Sequence, residues 1–417
     1  MLALLFGTHI YFTCRLHFIQ RRIPEGIRLS FFAKDRNTSA YSALATALAA
    51  TIGTGNIIGI STAIVIGGPG AVFWCWLTGV FGIATCYAEC FLSVKYRVKG
   101  PDGNYTGGPM YVLEHALHNR GMAIAFAFFT VIASFGIGSS VQAHSISTAV
   151  TLQSDVSTHL IGIAVGVLAG LVVIGGNRQI GKVCNWLVPV MSIFYLGGCL
   201  WMIAMNIAVV PQAIALIIKS AFSSHAAAGG IAGTAVTAGI RTGISRGLFT
   251  NEAGLGSIPM AAATAQAVSP EKQGIISMTG PFWDTVVMCA ITGIAVVSSM
   301  LSQPFSYCGI SGDRICFIAF EQLPFGGDMI LSVSLILFAF ATIIGWNVYG
   351  SCAARYLWGE GGVKVYQVIY MLFAYLGGVI SLEFVWGVSD LFNSLMAIPN
   401  LLCLWMLQNV VVRGTSG

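Results

Sequence analysis

Apolar residues in this chain gather into long blocks separated by short polar stretches, near 2–19, 41–66, 71–94, 122–150, 159–175, 183–205, 229–265, 273–301, 329–350, 364–381 and 385–411. A helix needs about 20 such residues to cross about 30 Å of hydrocarbon, so the blocks predict eleven transmembrane helices in an all-α polytopic membrane protein. Two blocks are soft where a plain anchor would place leucine. The second carries Gly53-Thr54-Gly55-Asn56 at its centre, and the seventh carries Phe249-Thr250-Asn251-Glu252-Ala253-Gly254-Leu255-Gly256-Ser257. A helix that loses regularity inside a bilayer leaves backbone groups without partners, which is tolerated only where they face a buried cavity or bind something. Both centres therefore point to discontinuous helices around a solute or ion site.

Set aside the first block and ten remain, divided five and five around 206–228. Five is odd, so the second set runs through the membrane in the opposite sense: an inverted repeat, with interrupted helices at matching positions of the two halves. The expected organisation is 1–40, an N-terminal extra helix and basic loop; 41–205, the first repeat; 206–228, an extracellular connection; and 229–417, the second repeat with a short tail. Exposed N–H ends at a mid-membrane break attract a carboxylate, and exposed C=O ends suit a hard cation. Gly53, Gly55, Gly254 and Gly256 allow close backbone approach, which favours a small solute.

Composition agrees with the blocks: hydrophobic residues make up 56% of the 417 and charged residues 8%. The net charge of +5 becomes informative once mapped onto loops. Arg15, Arg21, Arg22, Arg28, Lys34, Arg36, Lys95, Arg97, Lys99, Arg120, Arg178, Lys182, Lys272, Arg355, Lys364 and Arg413 fall on one predicted side, which the positive-inside rule makes cytoplasmic. Lys219 and Arg314 face the other way, with Asp313, Glu321 and Asp328. The N-terminus is then outside and the C-terminus inside a plasma (inner) membrane. Met1 stands directly against the first apolar block, so no cleaved leader is expected. With most basic residues in loops, the lipid bilayer is the expected macroscopic partner and nucleic acid is not. Cysteines such as Cys86, Cys90, Cys199 and Cys289 stand singly in apolar runs, as small buried hydrophobes do. Without CxxC, HExxH or P-loop patterns, ATP-driven transport and zinc hydrolysis lack support, and the protein is not expected to be an enzyme.

Several stretches resemble one family, the alanine or glycine:cation symporters (sodium:alanine/glycine symporters). They are Ala50-Thr51-Ile52-Gly53-Thr54-Gly55-Asn56-Ile57-Ile58-Gly59, Gly67-Gly68-Pro69-Gly70-Ala71-Val72-Phe73-Trp74, Gly107-Gly108-Pro109-Met110-Tyr111, Asn251 to Ser257, and Asn393-Ser394-Leu395-Met396-Ala397-Ile398-Pro399-Asn400. The resemblance implies a leucine-transporter-like fold and sodium-driven uptake of alanine, glycine or similar small amino acids. It would lay the substrate against Thr54, Gly55, Asn56, Phe249, Thr250 and Asn251, with Trp346 closing over its side chain. Sodium, the coupling ion and the only cofactor implied, would meet carbonyls near Ala50 and Gly53 and the Thr342 hydroxyl, oxygen donors of the kind a hard cation prefers. A monomer would suffice for transport. The chain departs from the family at Ser351-Cys352, where many relatives carry an acidic residue.

Glu252 is an ionisable group at membrane depth, and Arg246 or Arg241 is its expected ion-pair partner, a structural or gating bridge. Glu89 and Asp284 also lie inside spans, where satisfied polar contacts are expected over a proton relay. Gln142 and Phe135-Gly136 are lesser pocket candidates. Glu114, His115 and His118 have helical spacing but are read as a solvated loop helix, and no transition-metal site is assigned. The main alternative is proton-coupled symport through Glu252 or Asp284. A passive channel would need a continuous pore or symmetric selectivity rings, which an asymmetric ten-helix pattern does not offer. An intramembrane enzyme would need a Ser–His, Cys–His or carboxylate pair that does not stand out.

Overall fold

A computed structural model describes residues 1–31, 38–100, 103–222, 232–266, 268–303, 310–379 and 383–415. Lys34 and Arg36 of the predicted basic loop lie outside these residues, as do 223–228 of the predicted connection. The chain opens with α1 (Leu2–Arg15), a 3-10 turn (Ile19–Arg22) and α2 (Ile23–Phe31). Then come α3 (Thr38–Thr51), a 3-10 turn (Thr54–Asn56), α4 (Ile58–Gly67), α5 (Gly70–Lys95), the two-residue hairpin strands β1 (Val98–Lys99) and β2 (Tyr105–Thr106), and α6 (Pro109–His115). Next are α7 (Arg120–Ala133), α8 (Val141–Thr151), α9 (Thr158–Ile174), α10 (Gly176–Met205) and α11 (Val210–Phe222). The remainder is α12 (Ala232–Asn251), α13 (Ile258–Ala262), α14 (Pro270–Ser277), α15 (Thr279–Pro281), α16 (Ala290–Ser302), α17 (Gly312–Glu321), α18 (Gly327–Val379), α19 (Glu383–Met406) and α20 (Gln408–Thr415).

Among the described residues, six helices or helix runs are long and apolar enough to cross a membrane, or up to eight if each sharply bent pair counts as one span. The expected eleven differ from this count for local reasons. The block at 159–175 forms only the short apolar helix α9. The blocks at 329–350 and 364–381 both lie in the run α18, which Gly359, between them, divides into two helices by adopting φ 69° and ψ −167°, a left-handed conformation that suits glycine. The block at 229–265 is broken between α12 and α13. The predicted connection at 206–228 is not plain loop, because the apolar helix α11 occupies much of it.

Two runs pass through π-helical turns, Ser134–Ser140 between α7 and α8 and Phe282–Cys289 between α15 and α16. In the first, Ser140 Oγ donates to the Phe135 carbonyl (2.9 Å) and Gln142 Nε2 to the Ile137 carbonyl (3.2 Å), each five residues back. Such turns shift the register of a helix and often sit at functional positions.

Glycines let the central helices approach closely. A Cβ on Gly247 of α12 would lie 1.8 Å from Thr78 Oγ1 of α5, and one on Gly345 of α18 would lie 2.7 Å from the Ala50 nitrogen of α3. Small residues at crossings are how helices associate where burial of apolar surface offers little drive. Large buried side chains bring polar handles inside: Tyr370 Oη lies 2.9 and 2.8 Å from the carbonyls of Gly138 and Ile343, and Tyr366 Oη lies 2.9 Å from Ser134 Oγ. Facing outward are Leu160, Ile163, Leu171 and Ile174 of α9 and Trp186 and Ile193 of α10, the apolar coat that a hydrocarbon environment calls for. α1 lies against the core, with His9 Nδ1 2.8 Å from Thr85 Oγ1 of α5 and Trp405 of α19 donating to Thr8 Oγ1 (3.1 Å).

Candidate functional site

The first soft centre is a true break. α3 ends at Thr51, Gly53 is extended (φ −133°, ψ −161°), and α4 begins at Ile58 after a single 3-10 turn, with the two helices bent by 57°. Asn56 holds this break together. Its Oδ1 accepts from the Gly53 N–H (3.0 Å), and its Nδ2 donates to the backbone carbonyl (2.9 Å) and Oδ1 (2.8 Å) of Asp284 in the second π-helical turn. Asp284 Oδ2 in turn accepts from Thr285 Oγ1 (2.7 Å). The polar atoms of Asn56, expected to meet the substrate, are thus engaged within the protein, and the backbone is what this position offers a solute.

The second centre is broken by a different device. α12 ends at Asn251, whose Oδ1 accepts from the Ala253 N–H (3.0 Å). Glu252, Gly254 and Gly256 then take positive φ of 54°, 85° and 86° before α13 begins beyond Ser257. Glycine adopts such angles freely, whereas Glu252 does so under strain offset by its surroundings. Glu252 Oε2 accepts from Ser257 Oγ (2.5 Å) and Oε1 from Trp346 Nε1 (3.0 Å). This corrects the expected ion pair: no described ion pair includes Arg246 or Arg241, and Glu252 is held by two neutral donors. Arg241 is exposed, and Arg246 is half-buried with its side chain beside Gly59 of α4.

The two breaks meet. A Cβ on Gly55 would lie 3.3 Å from Thr250 Oγ1 and 3.9 Å from Phe249 Cδ1. Gln142, beyond the first π-helical turn, closes a third side, with Thr54 Oγ1 donating to its Oε1 (3.2 Å). Trp346 is fully buried against Gly138 of that turn and packs edge-on to Tyr349 at 5.4 Å. The expected ion-site residues also come together: a Cβ on Gly53 would lie 2.6 Å from Thr342 Oγ1, and Gly345 presses on Ala50. Thr54, Asn56, Thr250, Asn251, Thr342 and Trp346 are all buried, whereas Gly55 and Phe249 keep partial exposure.

Phe135 does not join this cluster: its ring stacks on Phe373 at 4.9 Å and Tyr366 at 5.4 Å, packing α18 against the π-helical turn. Glu114 accepts from Tyr356 Oη (2.6 Å), and the start of α6, from Pro109 to Leu113, is buried, so this helix is more embedded than the solvated reading of Glu114, His115 and His118 implied. Among the described residues no group of ligands could hold a metal ion of the His/Cys/Asp/Glu kind. Sequence reasoning gave no role to Asn400, which donates both to Glu89 Oε1 and to the Gly254 carbonyl, tying α19 and α5 to the second break. Nor did it single out Asn347 and Tyr349, whose Nδ2 and Oη are buried with no hydrogen-bond partner among the described residues. A polar residue one position from Trp346 was the available signal.

The family profile described as the sodium:alanine symporter family matches residues 1–416. The sodium/alanine symporter AgcS of Methanococcus maripaludis is 42% identical over 100% of this chain and 93% of its own length. A probable sodium/glutamine symporter, GlnT of Bacillus subtilis, is 35% identical over 99% of this chain and 86% of its own. Among solved structures, MhsT in complex with L-phenylalanine superposes with a TM-score of 0.65 at 13% identity, covering 88% of each chain, a likeness of fold alone. With two broken helices facing each other in a leucine-transporter-like fold and a match along nearly its whole length, this chain belongs to the sodium:alanine symporter family, a family of membrane transporters.

Proposed function

We propose that this protein carries small neutral amino acids, alanine or glycine, into the cell together with sodium by alternating access. The observation that carries the reading is the approach of Gly55 to Thr250 and Phe249, where the two helix breaks meet. The amino acid would lie between Thr54, Gly55 and the backbone at Asn56 on one side and Phe249, Thr250 and Asn251 on the other. Trp346, held by Glu252, would limit the size of its side chain. Sodium would bind where the backbone at Ala50 and Gly53 faces Thr342. In this reading eleven spans, five and five in inverted repeat after one extra helix, put the N-terminus outside and the C-terminus in the cytoplasm.

Uptake of labelled alanine into proteoliposomes with and without an inward sodium gradient tests this directly. Accumulation that follows the sodium gradient supports symport, and equal uptake without any ion gradient overturns it. Proton coupling is a second reading with its own observation: Glu89, Glu252 and Asp284 are buried beside the breaks, and no described ion pair includes them. Accumulation driven by a proton gradient in sodium-free buffer would favour that reading.

A further inference from the structure

The chain bends sharply where α1 ends, and the bend borders an open cavity of about 320 Å³ lined by Arg15, His17, Phe18, Arg21, Arg22 and, from α20, Thr415. We propose that this cavity is a binding site for the headgroup of an anionic phospholipid. α1 is an apolar helix that ends in Arg15, and the chain bends by 70° into the 3-10 turn and α2. His17 and Phe18 make the bend with positive φ of 50° and 58°. α2 then alternates buried Ile23, Gly26 and Ser30 with exposed Pro24, Glu25 and Arg28, an amphipathic helix whose inner face packs on Ile275 and Thr279. The cavity therefore lies at the sharp bend between apolar α1 and amphipathic α2, with basic side chains gathered at the end of the apolar segment.

Its charges are arranged for an anion. Arg22 is shared between Glu25 (2.7 Å) and Glu271 (2.7 Å), so its charge is largely matched. Arg15 donates only to the neutral Asn409 Oδ1 (3.0 Å), and Arg21 sits over the Phe18 ring at 5.7 Å, outside any described ion pair. Among the described residues no carboxylate lines the cavity. Two cationic side chains and a histidine thus face a pocket whose remaining walls are Leu16, Ile19 and Val412, apolar surface suited to the glycerol end of a lipid. Guanidinium groups pair with phosphate through several donors at once, and basic pockets between helices at the membrane surface recognise such headgroups.

The same chemistry would attract free phosphate, so the test separates the two. Purified protein in detergent is titrated with phosphatidylglycerol, with phosphatidylcholine of the same acyl chains, and with inorganic phosphate, and lipid retention and thermal stability are measured. The expected result is retention and stabilisation by phosphatidylglycerol above phosphatidylcholine, with no effect of inorganic phosphate. Replacing both arginines, Arg15→Gln with Arg21→Gln, should weaken the phosphatidylglycerol preference on the order of twentyfold. Arg15→Lys with Arg21→Lys should restore most of it, and Arg28→Gln, an exposed charge outside the cavity, should leave it unchanged. Equal retention of the two lipids, a preference that survives the double Gln variant, or stabilisation by inorganic phosphate alone would overturn the assignment.

Discussion

The two helix breaks solve one problem in opposite ways. At the first, a neutral side chain reaches across the molecule: Asn56 caps Gly53 and binds Asp284, fixing α3 and α4 to the second π-helical turn. At the second, the chain mends itself locally, through Asn251 to Ala253 and Glu252 to Ser257, with two glycines at positive φ. The first break is thus rigid only as part of the assembled bundle, while the second carries much of its own geometry and takes Trp346 with it. The second break is still anchored to the bundle, since Asn400 of α19 donates to the Gly254 carbonyl and Trp346 of α18 to Glu252, but its internal bonds set the turn that these distant side chains then hold.

The largest effect that probes this contrast is expected from Asn56→Ala. It leaves the Gly53 N–H and the Asp284 carboxylate short of partners in the interior, at about 1–3 kcal/mol for each orphaned group and more for a charged one. Alanine uptake should fall by roughly two orders of magnitude and the unfolding temperature should drop. Asn251→Ala, which removes one bond inside a turn, should cost markedly less in both measurements. Equal losses would end the distinction between a break held in trans and one held locally.

Next in size is the bond between the second break and the cover. Trp346→Phe deletes the indole donor and leaves Glu252 with Ser257 alone, so the KM for alanine should rise by about 5- to 100-fold, the equivalent of 1–3 kcal/mol. Glu252→Gln keeps an acceptor for the indole and should raise KM less than about tenfold. Initial-rate uptake with both variants checks the order. If Glu252→Gln is the more damaging, the carboxylate's charge matters beyond positioning Trp346, which would favour the proton-coupled reading.

A smaller and more selective effect is expected at Thr342. Thr342→Val keeps the shape beside Gly53 and removes the hydroxyl, so half-saturating sodium should rise by about tenfold, as for loss of one bond to a charged group. Alanine affinity at saturating sodium should stay the same. A loss of alanine affinity with unaltered sodium dependence would move the ion away from this point.

How much of this was legible beforehand follows from what periodicity records. The positions of both breaks were readable because glycine and asparagine interrupt an apolar run that leucine would otherwise continue, and hydrocarbon tolerates the interruption only around a site. The meeting of Gly53 with Thr342, and of Gly55 with Thr250, followed from the family likeness, not from spacing. The partner of Glu252 was misread because an acid at membrane depth calls for a cation by default, whereas Trp346 is 94 residues away and supplies only a neutral N–H. Hydropathy blocks record apolar length and not where a helix bends, so the bend between α3 and α4, the left-handed Gly359 and the shortness of α9 were not readable from them. The π-helical turns were invisible for a related reason: one extra residue in a turn leaves the apolar pattern nearly unchanged.

The smallest effect tests the meeting point of the two breaks. Gly55→Ala adds a methyl 3.3 Å from Thr250 Oγ1 and 3.9 Å from Phe249 Cδ1, a contact the neighbours accommodate by shifting a few tenths of an ångström. The fold should therefore survive, and the change should appear in selectivity. If the substrate lies between Gly55 and Thr250, the methyl takes volume from the solute, and glycine should gain on alanine by a few-fold to tenfold, the lower part of the 1–3 kcal/mol that one methylene commands in a tight pocket. Competition of each amino acid against labelled alanine measures the ratio. An unchanged ratio in a well-folded variant would place the solute elsewhere and leave the close approach of the two breaks as packing alone.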